Sequence, residues 1–544
     1  MMEEVMGEKI WIKNYDPGVP YHVDLPDIPA HALLENRAEK TPQATAVTVM
    51  DIPTTYEELN KRANQFAHAL LDWGIKKGDK VALVLANSTS YVSSQFGILK
   101  TGAITVTVNP LYTGRELSHV IGNSGARLAV VLSLFADNVV KIKDQTSLEK
   151  ILVVPIPGMD IPLPEGVTLL EDFMAGHGDT NPGIAVSIDD PALILYTGGT
   201  TGLSKGAVLQ HRSQVYSAYS LSRLDPTMKE LEDSFVLVNP LFHIMGNAIM
   251  SFCIYAGLPV HLVPQYDPGM VLKTIHKQRP TWFPGVPTMF IGVMNHPEVK
   301  EHDLTSIKFC VSAAAPFPVE AIEQFEKITG CRVVEAYGLT ESGAAILFNP
   351  FVNKRKVGSI GFPIADMDAK IMDLEDGEKE LPANQEGELV IKGPPVMMHY
   401  LNMPDETAAS MKDGWFYTGD IAKMDEDGYF WIVDRKKDMI IAGGFNIYPR
   451  DIDEVLHEHP KVELACAIGI PDAYRGETVK AFVVPKKGET ITEEEIISFC
   501  KERLTAYKVP KFIEFRDSLP TSVIGKVLRK ELREEERKKR EGSS

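Results

Sequence analysis

Tyr196-Thr-Gly-Gly-Thr-Thr-Gly-Leu-Ser-Lys-Gly206 is the stretch from which the rest of the chain is read. It follows an apolar run, Ala192 to Leu195, that reads as a buried strand, with Pro191 at its start. Glycines let a backbone come close to an oxyanion and take positive φ. Backbone N–H groups and the hydroxyls of Thr197, Thr200, Thr201 and Ser204 can then turn inward, and Lys205 adds a full positive charge. The alternative is a flexible surface loop, but hydroxyls, glycines and a lysine directly after a strand favour an anion cradle. The cradle is not a Walker A loop, which needs Gly-Lys-Ser/Thr. Here Lys205 stands three residues beyond Gly202 and is followed by Gly206.

Bulk composition narrows the partners. With 544 residues, the chain has room for three or four domains on a prior of about 150 residues each. Hydrophobic content of 44% fits a large soluble core, and a net charge of −18 disfavours nucleic acid or an anionic membrane as a partner, while leaving room for a local basic site. Five scattered cysteines without a C-x-x-C pair give neither a zinc nor a disulfide framework and fit a reducing, cytoplasmic setting. The N-terminus does not read as a signal peptide, and the apolar run Ala248 to Val260 is broken by Gly257 and Pro259 before it could span a bilayer. No integral membrane segment is therefore expected.

Outward from the cradle, strands and helices alternate. Residues 1 to 30 read as an extended lead-in. Thr55 and Glu58 form a capping box for a helix whose apolar face carries Leu59, Ala63, Phe66 and Leu70. The strands Val81 to Leu85, Ile104 to Val108 and Leu128 to Leu132 flank a helix over Tyr91 to Lys100, a rhythm that predicts a largely parallel sheet covered on both faces. Short alternating strands with many Gly and Pro turns between 351 and 430 suggest a small β-rich subdomain, and Gly443-Gly444 marks a hinge into a C-terminal domain of alternating elements. Arg529 to Arg540 is so charged that it reads as a solvated helix or tail.

Five further segments carry chemistry. Asn239-Pro-Leu-Phe-His243 offers a histidine that is either a satisfied structural residue or the edge of an apolar pocket. Ser312-Ala313-Ala314-Ala315-Pro316 is a small-residue turn at a strand's C-terminal end, where α/β sheets bind ligands; a plain tight turn is the alternative. In Glu335-Ala-Tyr-Gly-Leu-Thr-Glu-Ser342, Tyr337 offers a flat face, Thr340 a hydroxyl and Glu341 a carboxylate for magnesium, unless Thr340 or Ser342 simply caps a helix. Asp420, after Thr418-Gly419, is placed to accept from paired hydroxyls, or is an ordinary turn aspartate. Gly525-Lys526 presents an ammonium on a flexible backbone.

The order and spacing of these motifs, with Asp434-Arg-Lys-Lys-Asp438 between them, resemble the adenylate-forming superfamily of acyl-CoA synthetases, peptide-synthetase adenylation domains and firefly-type luciferases. The resemblance runs from about Tyr56 to Arg529. It implies an α/β fold: a large N-terminal domain, residues 1–434, of two sheet-and-helix subdomains and a β-barrel-like one. A small mobile α+β domain, 435–541, would turn about a hinge near Lys437. It also implies two half-reactions using ATP, Mg2+ and coenzyme A, in which a carboxylic acid is converted to acyl-AMP with release of pyrophosphate and a thiol then displaces AMP. By the same resemblance the loop Thr197, Gly198, Gly199, Thr200, Thr201, Gly202 to Lys205 grips the β- and γ-phosphates. Ser312 to Pro316, Tyr337 and Gly338 line the adenine, and Asp420 and Arg435 bind the ribose. Thr340 contacts the α-phosphate, Glu341 holds the metal, and Lys526 bridges the carboxylate and α-phosphate. His243 borders the acyl pocket, and Gly443 and Gly444 line the thiol channel.

Two departures stand out. Gly198 occupies a position where many members have Ser, a variant resembling long-chain fatty acid ligases, and Ala313-Ala314 replaces a frequent Gly-Gly, which would tighten the approach to the base. The favoured activity is a medium- to long-chain fatty acid–CoA ligase. A coumarate-type aryl-CoA ligase is the near alternative. A luciferase-like oxygenase shares every motif, and a non-catalytic nucleotide sensor would be expected to have lost Lys526, Asp420 or Glu341, all of which are present. An adenylation domain is disfavoured because no carrier domain follows Lys526. Homodimerisation and peripheral membrane contact are left open.

Overall fold

The computed structural model describes residues 9–197, 204–442, 445–472, 475–521 and 527–541. Gly198, Gly199, Thr200, Thr201, Gly202, Gly443, Gly444 and Lys526 lie outside the described residues. The chain divides into two compact units. One comprises Met1–Val357, Gly361–Asp368 and Lys392–Phe416, and the other Gly358–Ile360, Ala369–Ile391 and Tyr417–Ser544.

The first unit is built on two mixed sheets of eight and nine strands. In the eight-stranded sheet, Lys80–Val84, Ile104–Thr107, Leu128–Leu132, Lys150–Val154 and Pro191–Thr197 run parallel. Strands buried on both faces read as unbroken Val/Ile/Leu runs, and Val81, Ala82, Leu83, Val130, Val131, Leu193 and Ile194 are fully buried. The helices Tyr56–Trp73 and Thr89–Lys100 accompany this sheet; the first opens on the expected Thr55/Glu58 capping box and ends at Gly74 in the left-handed region. In the nine-stranded sheet, Trp282–Gly285, Phe309–Ser312 and Arg332–Gly338 are parallel neighbours around a core containing Phe283, Phe290 and Phe325. The lead-in is tied down rather than merely extended. Buried Asp16 accepts backbone N–H bonds from Phe351, Val352 and Asn353 at 2.6, 3.0 and 2.5 Å.

The second unit carries most of the strand Gly387–Lys392, most of Trp415–Met424 with its antiparallel partner Phe430–Arg435, and a C-terminal sheet centred on antiparallel Val462–Asp472 and Gly476–Pro485. Arg529–Glu541 is a helix, one of the two forms expected, but it is docked rather than solvated. Leu532 is fully buried beside Cys466, Ile468 and Phe482, and Glu536 pairs with Lys480 at 2.8 Å. One apolar side chain and a few ion pairs suffice to dock an otherwise charged helix.

Candidate active site

The glycine-rich stretch is the connection of an antiparallel hairpin. Pro191–Thr197 pairs with Lys205–Gln210, and Thr197 stands opposite Lys205. This register fixes the two ends of the connection. Tyr196 anchors the hairpin from behind, its hydroxyl donating to Asn123 Oδ1 at 2.7 Å, while His119 Nε2 lies 2.9 Å from the carbonyl of Ser204.

Side chains at this mouth form a connected chain. Glu341 Oε1 accepts from Tyr400 Oη at 2.8 Å and lies 3.5 Å from Thr197 Oγ1. The Lys205 ammonium sits 5.2 Å from the centre of the Tyr400 ring and is ion-paired with Glu406. Burial, and then the negative charge of Glu341, push the Tyr400 phenol well above its usual range, so it acts here as a donor. The structure thus brings together Thr197, Lys205 and Glu341, and adds Tyr400 and Glu406. Sequence reasoning missed these last two because their partners lie 59 and 201 positions away. The available signal was the short helix Pro404–Ser410, opened by Pro404 with Asp405 and Glu406 in its first turn. His399–Tyr400 pairs with the Lys205–Gln210 strand, which is what delivers the tyrosine.

Glu341 is presented by a turn, not by a helix. After strand Arg332–Gly338, Ser342 accepts from the Leu339 N–H at 2.8 Å and donates to the Ala344 carbonyl at 2.7 Å, and Ala345–Phe348 returns antiparallel. The capping alternative for Thr340 or Ser342 is therefore overturned, since no helix follows. A Cβ on Gly338 would lie 2.1 Å from the Ala344 carbonyl oxygen, so glycine is required where the turn folds back. Thr340 is half-buried and its hydroxyl makes no hydrogen bond among the described residues. On the neighbouring strand, Ser312 Oγ is buried without a partner, and Ala314 has φ +69°. An alanine held in the left-handed region and an orphaned hydroxyl, side by side, mark this turn as shaped for something besides its own stability. Ala313 and Tyr337 are buried.

His243 caps helix Ile244–Ala256, its Nδ1 accepting from the Met245 N–H at 3.4 Å, and burial pulls its pKa down to about 4, so the ring is neutral near pH 7. The structural role anticipated for it is real. The preceding segment is pinned by two residues not picked out from the sequence. Asn87 Oδ1 accepts from the Leu241 N–H at 2.8 Å and Tyr91 donates to the Leu241 carbonyl at 2.9 Å.

In the second unit, Asp420 and Arg435 stand opposite each other on paired strands, with Arg435 Nε 3.1 Å from Asp420 Oδ1. Asp420 is nearly buried and Arg435 about a third exposed, so the carboxylate is held in place while the guanidinium keeps an open side. Lys437 is exposed as a residue, yet desolvation of its ammonium, and then Arg435, pull its pKa down to about 8. Arg533 braces the next residue, pairing with Asp438 at 2.6 Å. Thr521 and Val527, which flank the segment containing Lys526, pair in an antiparallel bridge.

A mixed-sheet scaffold, a glycine-rich hairpin mouth furnished with a cation, a hydroxyl and a carboxylate, and a small C-terminal α+β domain are the parts of an adenylate-forming enzyme. The chain belongs to the AMP-binding enzyme family, whose pattern it matches over residues 34–401, and it matches the AMP-binding enzyme C-terminal domain over 451–526. It is 39% identical to a long-chain-fatty-acid–CoA ligase of Bacillus subtilis, over 98% of this chain and 99% of that protein. Among solved structures it resembles the anthranilate CoA ligase AuaEII in complex with anthranoyl-AMP, with TM-score 0.86, 28% identity and coverage of 94% and 98%. It also resembles a fatty acyl CoA synthetase of Mycobacterium tuberculosis, with TM-score 0.74, 30% identity and coverage of 93% and 98%.

Proposed function

We propose that this protein is an AMP-forming fatty acid–CoA ligase. A carboxylate at neutral pH is a poor acyl donor. Attack of its oxygen on the α-phosphorus of ATP forms acyl-AMP and expels pyrophosphate, and attack of the CoA thiol on the acyl carbon then forms the thioester, releasing AMP and a proton. The observation that carries this reading is the side-chain chain Thr197–Glu341–Tyr400–Lys205 at the hairpin mouth, which gathers groups for a polyphosphate on a scaffold of this family. Full-length similarity to a long-chain-fatty-acid–CoA ligase supports an aliphatic substrate.

In this reading, Lys205 and the loop Thr197 to Gly202 hold the leaving β- and γ-phosphates, with Glu406 giving up Lys205 as ATP enters. The Ser312 hydroxyl, the turn Ala313 to Pro316, and Tyr337 with Gly338 bound the adenine. Asp420 accepts from the ribose hydroxyls, with the open side of Arg435 beside it. The free Thr340 hydroxyl donates to the α-phosphate. Glu341 suits magnesium, because that ion binds through one or two carboxylates together with phosphate oxygens, and Tyr400 and Thr197 already orient its oxygen. When bound, the ion neutralises phosphate charge. Lys526, as a fixed cation between the carboxylate and α-phosphate, offsets the charge that develops in the in-line displacement, worth about 10²–10³ in rate. The division into residues 1–434 and a mobile 435–541, turning near Lys437 to exchange Lys526 for a thiol channel at Gly443 and Gly444, belongs to the same proposal. So do His243 at the acyl pocket and a cytoplasmic location. No helix among the described residues is long and apolar enough to cross a membrane.

An aryl-CoA ligase is the second reading, favoured by the likeness to an anthranilate CoA ligase. Carboxylate-dependent ATP–pyrophosphate exchange, followed by CoA thioester formation, decides between them when run from octanoate to oleate and with coumarate, ferulate and anthranilate. The proposal expects the best turnover with a fatty acid. Preference for an aromatic acid favours the second reading, and no exchange with any acid overturns both.

A further inference from the structure

A cavity of about 350 Å³ opens in the first unit, among the C-terminal ends of helices Ala32–Lys40, His211–Leu221 and Ile244–Ala256. That volume is within the range of small-ligand sites, about 300–1,000 Å³. None of the residues assigned to ATP, the acyl group or CoA lines it.

Its charge is unbalanced. Arg37, Lys40 and Arg223 line it against a single carboxylate, Glu230, leaving a surplus of two positive charges. Both oxygens of Glu230 are already used: Arg37 takes Oε1 at 2.5 Å and Lys40 takes Oε2 at 2.8 Å. The buried Arg37 guanidinium is fixed further by the carbonyl of Tyr255. Arg223 donates to Ser222 Oγ at 2.6 Å and lies over the Tyr219 ring, which stacks on Tyr255 with centroids 4.1 Å apart; among the described residues no carboxylate pairs with it. The Asn36 amide, exposed at the rim, makes no hydrogen bond among the described residues. Leu33, Met228 and Leu258 supply apolar wall. Arg37 and Lys40 share Glu230, whereas the Arg223 guanidinium and the Asn36 amide are left to face an outside acceptor. Arginine's planar fork suits phosphate oxygens in particular.

We propose that this cavity is a second ligand site that takes a small phosphate monoester with a short apolar body. Its dianionic head faces Arg223, Arg37 and Lys40, and its body lies against Leu33, Met228 and Leu258. Its lining residues are distinct from those assigned to ATP. It also holds the far ends of two active-site elements, since helix Ile244–Ala256 begins at His243 and helix His211–Leu221 follows the hairpin strand Lys205–Gln210.

The test is calorimetric titration of the full chain with phenyl phosphate, in the presence of saturating α,β-methylene ATP to fill the nucleotide site. Neutral benzyl alcohol serves as the control. One phenyl phosphate is expected to bind per chain, more weakly as salt is raised, with no binding of benzyl alcohol. Arg223→Gln and Asn36→Asp, both at exposed positions where the fold is not at stake, should each weaken binding at least tenfold. Absence of saturable binding to the wild type, or equal affinity in Arg223→Gln, would overturn the proposal.

Discussion

The turn at 332–342 in the first unit and the hairpin at 417–435 in the second both present carboxylates assigned to the nucleotide, yet they are prepared in opposite ways. Around the first, polar groups wait: Ser312 Oγ is buried without a partner, the Thr340 hydroxyl makes no hydrogen bond among the described residues, and Glu341 is steadied by neutral hydroxyls. Around the second, Asp420 and Arg435 already hold each other. A carboxylate steadied by hydroxyls keeps its charge for a metal, whereas one paired with arginine is a fixed geometric element that trades little charge with its ligand. The first region is therefore suited to reacting phosphates, and the second to holding the sugar in register.

Lys526 gives the largest effect and the hardest test of that division, because it assigns a reacting charge to the second unit. Lys526→Ala should lower acyl-AMP formation about 10²–10³-fold, while supplied acyl-AMP is still converted to thioester. Equal loss of both half-reactions, measured separately, would remove the domain exchange from the account. Glu341→Gln should lower adenylation about 100-fold, mainly in kcat and with a higher magnesium requirement, as expected for a group that acts on the transition state. Asp420→Asn should instead act on binding, raising KM for ATP about tenfold with kcat nearly kept. If the two variants exchanged signatures, the contrast between the regions would be inverted. Tyr400→Phe removes one hydrogen bond to Glu341, a loss of about 1 kcal/mol, and should shift the magnesium dependence a few-fold in the same direction as Glu341→Gln.

Acid should act on the first unit through a different pair. His31 and His211 meet edge to face with ring centroids 6.2 Å apart, and burial holds their pKa values down to about 4 and about 3. Depressed histidines are neutral when folded and take up protons when unfolded. Stability from this source is complete above the unfolded value near 6.5 and is lost as pH falls from there towards 4. Urea midpoints measured across that window should fall on acidification, and less steeply in His211→Gln, the difference between the two slopes reporting what His211 contributes.

Much of this was legible from local signals. The Thr55/Glu58 box, the apolar strand runs and the motif turns lie within three or four residues of the features they announce, and the structure has them where the sequence puts them. What was not legible is long-range pairing of ordinary-looking polar residues. Pro404 announces a helix carrying Glu406 but not that it will meet Lys205, and nothing around Asp16 announces that it will collect three backbone N–H groups some 335 positions away. The docking of the C-terminal helix was missed for a related reason. A single buried leucine, Leu532, carries too little periodicity to outweigh the charges around it. Ala313-Ala314 was flagged as a departure, but only coordinates reveal that Ala314 adopts a conformation usually left to glycine.

The central claim is that one site makes acyl-AMP first and a thioester second. Rapid-quench analysis of the wild-type enzyme with α-phosphate-labelled ATP and palmitate, first without CoA and then with CoA added, tests it most directly. The account predicts labelled palmitoyl-AMP with pyrophosphate before CoA, and its conversion to palmitoyl-CoA and labelled AMP afterwards. Thioester formed with release of ADP and phosphate, or without a prior adenylate, would contradict it.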